Sequence, residues 1–148
     1  MPLLSERVVT ALDEKGSAEK AAKWQLVAVE AIKQCGAAWL PRVEAPLTPQ
    51  QFLARTEPFE LAFVGSLQGE RCHPREYFRA FEQRHSRKPS SVSAWVGPEG
   101  DFTPKELELI RAGGALPITM GDLVLRSETA AIYFLSVLSY ELQAPLDG

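Results

Sequence analysis

The chain has 148 residues, 45% of them hydrophobic and 24% charged, with a net charge of −3. That size is one domain by the usual prior, large enough to bury roughly two-thirds of its unfolded surface, and the acidic balance argues against strong nonspecific nucleic-acid binding by this chain alone, which needs clustered Lys and Arg. Two cysteines without C-x-x-C spacing give no metal signature and no disulfide framework; with no apolar signal region and no run near the roughly 18 residues of a membrane span, a cytoplasmic protein with reduced thiols, no metal and no membrane partner is expected.

Residues 12–16 read as a polar link. Ser17 is placed to cap a helix, with Glu19 in its first turn where the dipole favours an acid. Ala21, Trp24, Ala28, Ala31, Ile32 and Cys35 then recur at helical spacing, and Gly36 and Pro41 close the helix. Trp24 and Cys35 are read as core residues. After an extended connector over 41–46, Thr48-Pro49-Gln50-Gln51 carries the cap, proline and glutamine of a capping box and predicts a short helix over 49–55. Residues 60–64 form a short apolar run bounded by turn residues, which predicts a buried parallel strand; Gly65-Ser66 follows.

Residues 74–83 predict a helix with Tyr77, Phe78 and Phe81 on one side, read as core and not as a base-stacking platform. Arg71, Arg75, Arg79, Arg84, Arg87 and Lys88 crowd this region. They read as a solvated helix face and loop, with an RNA groove as the alternative. His73 and His85 lack partners at metal-ligand spacing and read as surface residues. A loop over 85–91 leads to a strand over 92–96. Thr103, Pro104 and Glu106 compose a second capping box, opening a helix over 104–112 that Gly113-Gly114 ends. Residues 116–120 predict a strand whose Pro117 argues for an edge or end position. The last helix, 128–142, repeats Ala131, Phe134, Leu135, Leu138 and Leu142, and Pro145 stops it. Strands alternating with helices imply an α/β fold, a parallel sheet with helices on both faces.

Two strand-to-helix junctions carry the chemistry. Trp95-Val96 leads into Gly97-Pro98-Glu99-Gly100-Asp101, where glycine permits positive φ and brings bare peptide groups close to a ligand. The second junction, Met120-Gly121-Asp122-Leu123-Val124-Leu125-Arg126-Ser127-Glu128-Thr129-Ala130, opens a helix near Ser127. Loops at the carboxyl ends of strands are where open α/β sheets bind ligands. The pair resembles the SPOUT methyltransferases, in particular the RsmE family, which methylates N3 of a uridine in small-subunit ribosomal RNA. That family's signature is G-P-E-G-G followed by L-G-x-R-[IV]-L-R-x-E-T-A. Its helix pattern W-Q-x-x-x-x-E-A-x-x-Q-x-G-R is matched by Trp24, Gln25, Glu30, Ala31, Gln34 and Gly36. Gln34 reads as an exposed helix-end residue, with a substrate-side contact as the alternative.

The resemblance runs from about Leu3 onward. It implies a SPOUT methyltransferase domain over 1–148 that lacks the PUA-like RNA-binding barrel and most of the first strand and helix, either as an excised fragment or as a member that has lost that module. It also implies a carboxyl-terminal trefoil knot, a rare exception to normal topology, whose loops hold S-adenosylmethionine bent, mostly through backbone groups. Gly65-Ser66 would be the first wall of that site. The implied cofactor-binding residues are Val64, Gly65, Gly97, Glu99, Gly100, Met120, Gly121, Leu125 and Thr129. A homodimer with the active site at its interface is expected, the apolar helix face over 134–142 serving either that contact or its own domain's core.

Methyl transfer is an in-line displacement in which positioning supplies much of the catalysis. Uridine N3 carries a proton, so a base or a group that stabilises the uracil anion is required. Arg126 matches the family's arginine and is the candidate for that anion or for a phosphate; a salt bridge to Glu99 or Glu128 is the alternative. Glu128 and Glu99 are the candidate bases, Glu128 being equally a first-turn glutamate favoured by the helix dipole. A phosphate could also sit at the helix start near Ser127. The chain departs from the pattern at Ala37, Asp101, Asp122 and Leu123, losing two arginines and gaining two acids, which weakens RNA binding more than cofactor binding. The expected activity is uridine-N3 methylation of small-subunit ribosomal RNA; a non-catalytic knotted module for RNA or assembly contacts, or another SPOUT RNA methyltransferase such as a transfer-RNA ribose methylase, are the alternatives. Dinucleotide and P-loop enzymes are disfavoured, since neither glycine motif occurs.

Overall fold

A computed structural model describes residues 1–7, 14–55, 59–67 and 69–143. The chain divides into two compact units, residues 1–55 and 56–148.

In the first unit, α1 (Glu14–Cys35) begins earlier than the sequence suggests. Residues 14–16 are already helical, and Ser17 is buried inside the helix instead of capping it; Leu12 and Asp13 lie outside the described residues. The inward stripe is Ser17, Ala21, Gln25, Ala28 and Ile32. Trp24 is 38% exposed and Cys35 is exposed, so neither is a core residue. The physical reason is Gln25, one position on from Trp24. Its amide donates to the Pro41 carbonyl at 2.9 Å and accepts from the Val43 N–H at 2.8 Å, which turns that face toward the connector. Gly36, at φ +67, ends the helix in the left-handed region. Gln34 is exposed. The connector's Leu47 forms a parallel bridge with Leu3, and its carbonyl accepts from the Leu4 N–H at 2.8 Å. The expected capping box is present at Thr48, and α2 (Pro49–Leu53) follows, ending two residues before the expected 55.

The second unit holds β1 (Leu61–Gly65), α3 (Pro74–His85), β2 (Val92–Trp95), α4 (Pro104–Ala112), β3 (Leu116–Ile118) and α5 (Ser127–Gln143). The three strands form one sheet in the order β2-β1-β3, and both pairings are parallel. β3 is therefore at an edge, where Pro117 is tolerated. Its carbonyl is not idle: it accepts from the Cys72 N–H at 3.4 Å and from the Tyr77 hydroxyl at 3.2 Å. Thr103 and Glu106 close both halves of the capping box that starts α4, a feature that stabilises by about 1 kcal/mol. Pro145 lies outside the described residues.

Successive strand residues point to opposite faces. Phe63 and Val64 are both 0% exposed, so both faces of β1 are covered. On one face, Phe63 meets Phe78 of α3 and Phe134 of α5, with ring centroids 5.5 and 6.0 Å apart. Ile118 completes this cluster, and Tyr77 and Leu138 pack against it. α5 buries Ala130 and Phe134 but leaves Leu135 65% exposed, against the sequence expectation. That helix is apolar nearly all round, so spacing alone does not choose its inner face.

The basic cluster is largely consumed within the protein. Arg75 pairs with Glu141 at 3.8 Å, Arg87 pairs with Glu60 at 2.5 Å, and Lys88 donates to the Glu141 carbonyl. Both histidines are exposed, as expected, and each has a local role: His73 caps α3 by accepting from the Arg75 N–H, and His85 stacks on Phe81 at 4.3 Å.

Hydrogen bonds from Arg87, and then from the Ser90 N–H, lower the Glu60 carboxyl from 4.5 to about 2. Its folded pKa lies below its unfolded one, so its contribution to stability is present above pH 4.5 and is lost as pH falls toward 2. Urea midpoints measured from pH 7 to pH 2 should therefore fall more steeply for the wild type than for Glu60→Gln. Superimposable acid limbs would show that this bidentate pair does not contribute.

Candidate functional site

The parallel register sets Val64 level with Trp95 and Gly65 level with Ile118. The three strands therefore end at one edge, and the three loops that leave them converge. They line a shallow cleft that is open to solvent.

The first loop contributes Gly65, Ser66, Leu67 and Arg71. A Cβ at Gly65 would lie 2.7 Å from the Met120 Cε, the flexible end of that side chain. Ser66 is buried, its N–H donating to the Ile118 carbonyl at 3.3 Å.

The second loop contributes residues 96–101. The Asp101 N–H closes a turn onto the Pro98 carbonyl at 3.0 Å, with Gly100 at φ +89 in the third position, as a type II turn requires. Gly97, expected to bend with positive φ, does not. Its constraint is crowding: a Cβ would sit 3.1 Å from the Phe102 backbone nitrogen and 3.2 Å from Asp101 Oδ1. Asp101 itself takes φ +69, which explains a glycine in the resembled pattern; aspartate is among the few side chains that tolerate this region. Its Oδ1 accepts from the Phe102 N–H at 2.8 Å and its Oδ2 from the Leu67 N–H at 3.1 Å.

The third loop contributes Met120, Gly121, Leu123, Val124 and Leu125. Gly121 has φ +105, and its N–H donates to the Thr119 hydroxyl at 3.2 Å. Leu123 and Val124 are 78% and 74% exposed. Ser127, where α5 begins, donates its hydroxyl to the Gly97 carbonyl at 2.9 Å, which ties the third loop to the second.

Of the residues singled out from sequence, Gly65, Gly97, Glu99, Gly100, Met120, Gly121 and Leu125 line this cleft. Val64, Arg126, Glu128 and Thr129 do not. Val64 is buried in the sheet beneath, and the other three are exposed around the start of α5. Arg126, Glu99 and Glu128 form no ion pair among the described residues, so the salt-bridge alternative for Arg126 is not what the structure contains. Ser66, expected with Gly65 as the first wall, also lines the cleft, whereas sequence reasoning missed Leu67, Arg71 and Ala130 as wall residues. Arg71 had been grouped with a basic helix face, and its donation to the Ser66 carbonyl at 3.0 Å has no local sequence signal. Among the described residues, no cluster of His, Cys, Asp or Glu is suited to a metal, and no helix is long and apolar enough to cross a membrane.

The two tight glycines predict different outcomes. Gly97→Ala presses on backbone beside the fully buried Phe102, so the variant should lose about 1–3 kcal/mol in urea unfolding. Gly65→Ala meets only the flexible end of Met120 and should lose less than about 1 kcal/mol, while pushing that thioether from its place in the cleft. Equal losses in both would contradict the assignment of these contacts.

The profile of the RNA methyltransferase domain family matches residues 1–139. The chain is 32% identical to the ribosomal RNA small subunit methyltransferase E of Bacillus subtilis, across 97% of its own length and 56% of that protein's. It is 32% identical to the protein of the same name from Synechocystis, across 97% and 45%. The chain thus spans about half the length of the curated relatives it matches. Among solved structures, a methyltransferase from Legionella pneumophila in complex with bound cofactor SAM superposes with a TM-score of 0.81 at 32% identity, covering 94% of this chain and 53% of that one. By sequence profile, by relatives and by fold, the chain belongs to the RNA methyltransferase domain family, and within it to the RsmE proteins.

Proposed function

We propose that this chain binds S-adenosylmethionine in the three-loop cleft and methylates N3 of a uridine in small-subunit ribosomal RNA. What supports the reading most is the convergence of Gly65, Gly97, Gly100 and Gly121 on one cleft at the carboxyl ends of parallel strands. A Cβ at Gly65 or Gly97 would crowd existing atoms, so bare backbone lines the floor, and Met120, Val124 and Leu125 supply apolar wall for a purine ring. The ligand that the L. pneumophila structure holds is of this kind. Bound here, S-adenosylmethionine would supply an electrophilic methyl group on a sulfonium.

The chain's own residues would do the rest. Glu99 is exposed in the cleft wall and is the better placed of the two candidate bases for the N3 proton. Arg126, exposed and unpaired among the described residues, is available to the uracil anion or an adjoining phosphate. Glu128 stands in the first turn of α5, where the helix dipole stabilises its charge. The same reading includes a trefoil knot through the second and third loops and a homodimer in the cytoplasm. Support for pairing comes from α5, whose Ile132, Leu135 and Tyr140 are each at least 65% exposed.

Titration calorimetry with S-adenosylmethionine should give one site per chain. Label transfer to small-subunit RNA, with mass spectrometry of the product nucleoside, should place the methyl group on uridine N3. Arg126→Ala should slow transfer roughly a hundredfold and leave cofactor affinity within about twofold. A folded chain that takes up no cofactor would overturn the proposal; a methyl group on another atom would leave only the cofactor half standing.

A further inference from the structure

The peptide unit joining Ser66 to Leu67 is held at both ends by side chains of opposite charge. Arg71 Nη1 donates to its carbonyl oxygen at 3.0 Å, and Asp101 Oδ2 accepts from its N–H at 3.1 Å. Both bonded atoms belong to one rigid amide plane, so the two contacts together fix the rotation of that plane. The peptide dipole lies with its negative end toward the guanidinium and its positive end toward the carboxylate. A flip of the plane, the usual soft motion of a loop peptide, would set oxygen against carboxylate and N–H against guanidinium. Neither clamp residue belongs to the pair of atoms it orients: one comes from further along the first loop, the other from the second loop, 34 residues away. Asp101 is itself immobilised, because its other oxygen accepts from the Phe102 N–H at 2.8 Å and the residue is only 7% exposed. Hydrogen bonds to charged groups are roughly twice as strong as neutral ones.

We propose that Arg71 and Asp101 are positioning residues that clamp the Ser66–Leu67 peptide and so set the shape of the cleft's first wall. The ligand arm of this inference rests on the proposed cofactor site; the structural arm does not. Asp101→Gly is the informative variant, since glycine keeps φ +69 without strain and removes only the carboxylate. Asp101→Asn keeps one acceptor oxygen at the same backbone conformation and serves as the conservative variant and as a folding control.

Hydrogen exchange of the unliganded protein should show the Leu67 amide opening about tenfold faster in Asp101→Gly, and faster also in Arg71→Ala, although Arg71 does not touch that N–H. Asp101→Asn should recover part of the protection. Each of the first two variants should raise the calorimetric Kd for S-adenosylmethionine about tenfold, and the double variant should stay within about tenfold of wild type, because both act on one peptide. The clamp is refuted if Arg71→Ala leaves Leu67 exchange unchanged, if the two losses of affinity multiply to about a hundredfold, or if exchange quickens with no change in Kd. If the wild type takes up no cofactor, the reading of the site fails, and the exchange comparison alone decides whether the clamp exists.

Discussion

The site depends on the parallel registry of β1 with both its neighbours. Because Val64 is level with Trp95 and Gly65 with Ile118, three chain segments turn out of the sheet at one height and one edge. Antiparallel pairing on either side would send one of those loops to the opposite end. The strands are short, five, four and three residues, so ladder hydrogen bonds alone do not secure the register. The aromatic cluster on Phe63 does. A one-residue slip would carry Phe63 to the other face, away from Phe78 and Phe134. Losing such a ring from a core costs about 3–5 kcal/mol, comparable with the whole stability of a small domain.

Holding the loops together is a separate problem, because peptide groups beyond the strand ends have left the ladder and still need partners. Here the partners come from the neighbouring loop. Ser127 donates to the Gly97 carbonyl, Asp101 accepts from the Leu67 N–H, and the Ser66 N–H reaches the Ile118 carbonyl. Each bond joins two of the three segments, so the walls are ordered as one object before any ligand arrives. Preorganisation of this kind lowers the entropy lost on binding.

Legibility from sequence followed how local the physics was. The helices α2 and α4 were readable almost to the residue because a capping box writes its start in four consecutive residues. The edge position of β3 was readable because Pro117 lacks an N–H. What failed depended on distant partners. Helical spacing located α1, but its inner face was decided by Gln25 meeting carbonyl and amide groups of residues 41 and 43, which turned Trp24 outward. Leu135 was misassigned because α5 is apolar on most sides. For Gly97 the expectation of a special φ was the local explanation; the actual constraint is the Phe102 backbone folding back against it. The cleft's glycines were legible, while Arg71 was not, since nothing in its neighbours tells that its guanidinium reaches Ser66.

The two acids that depart from the family pattern have different physical consequences. Asp101 is nearly buried and its oxygens are engaged by two backbone amides, so it offers little charge to an approaching phosphate. Asp122 is exposed, and beside it Leu123 puts an apolar side chain where the pattern has an arginine. The third loop therefore carries one positive charge fewer than the pattern and one negative charge more, whereas in the second loop Asp101 adds two hydrogen bonds within the protein. Each phosphate no longer neutralised removes about one unit from the salt dependence of RNA binding, and it leaves the glycine floor untouched. Under the proposed function, cofactor and RNA would therefore depend on different residues, the glycine-lined cleft for one and the outer face of the third loop for the other, and a change in one need not alter the other.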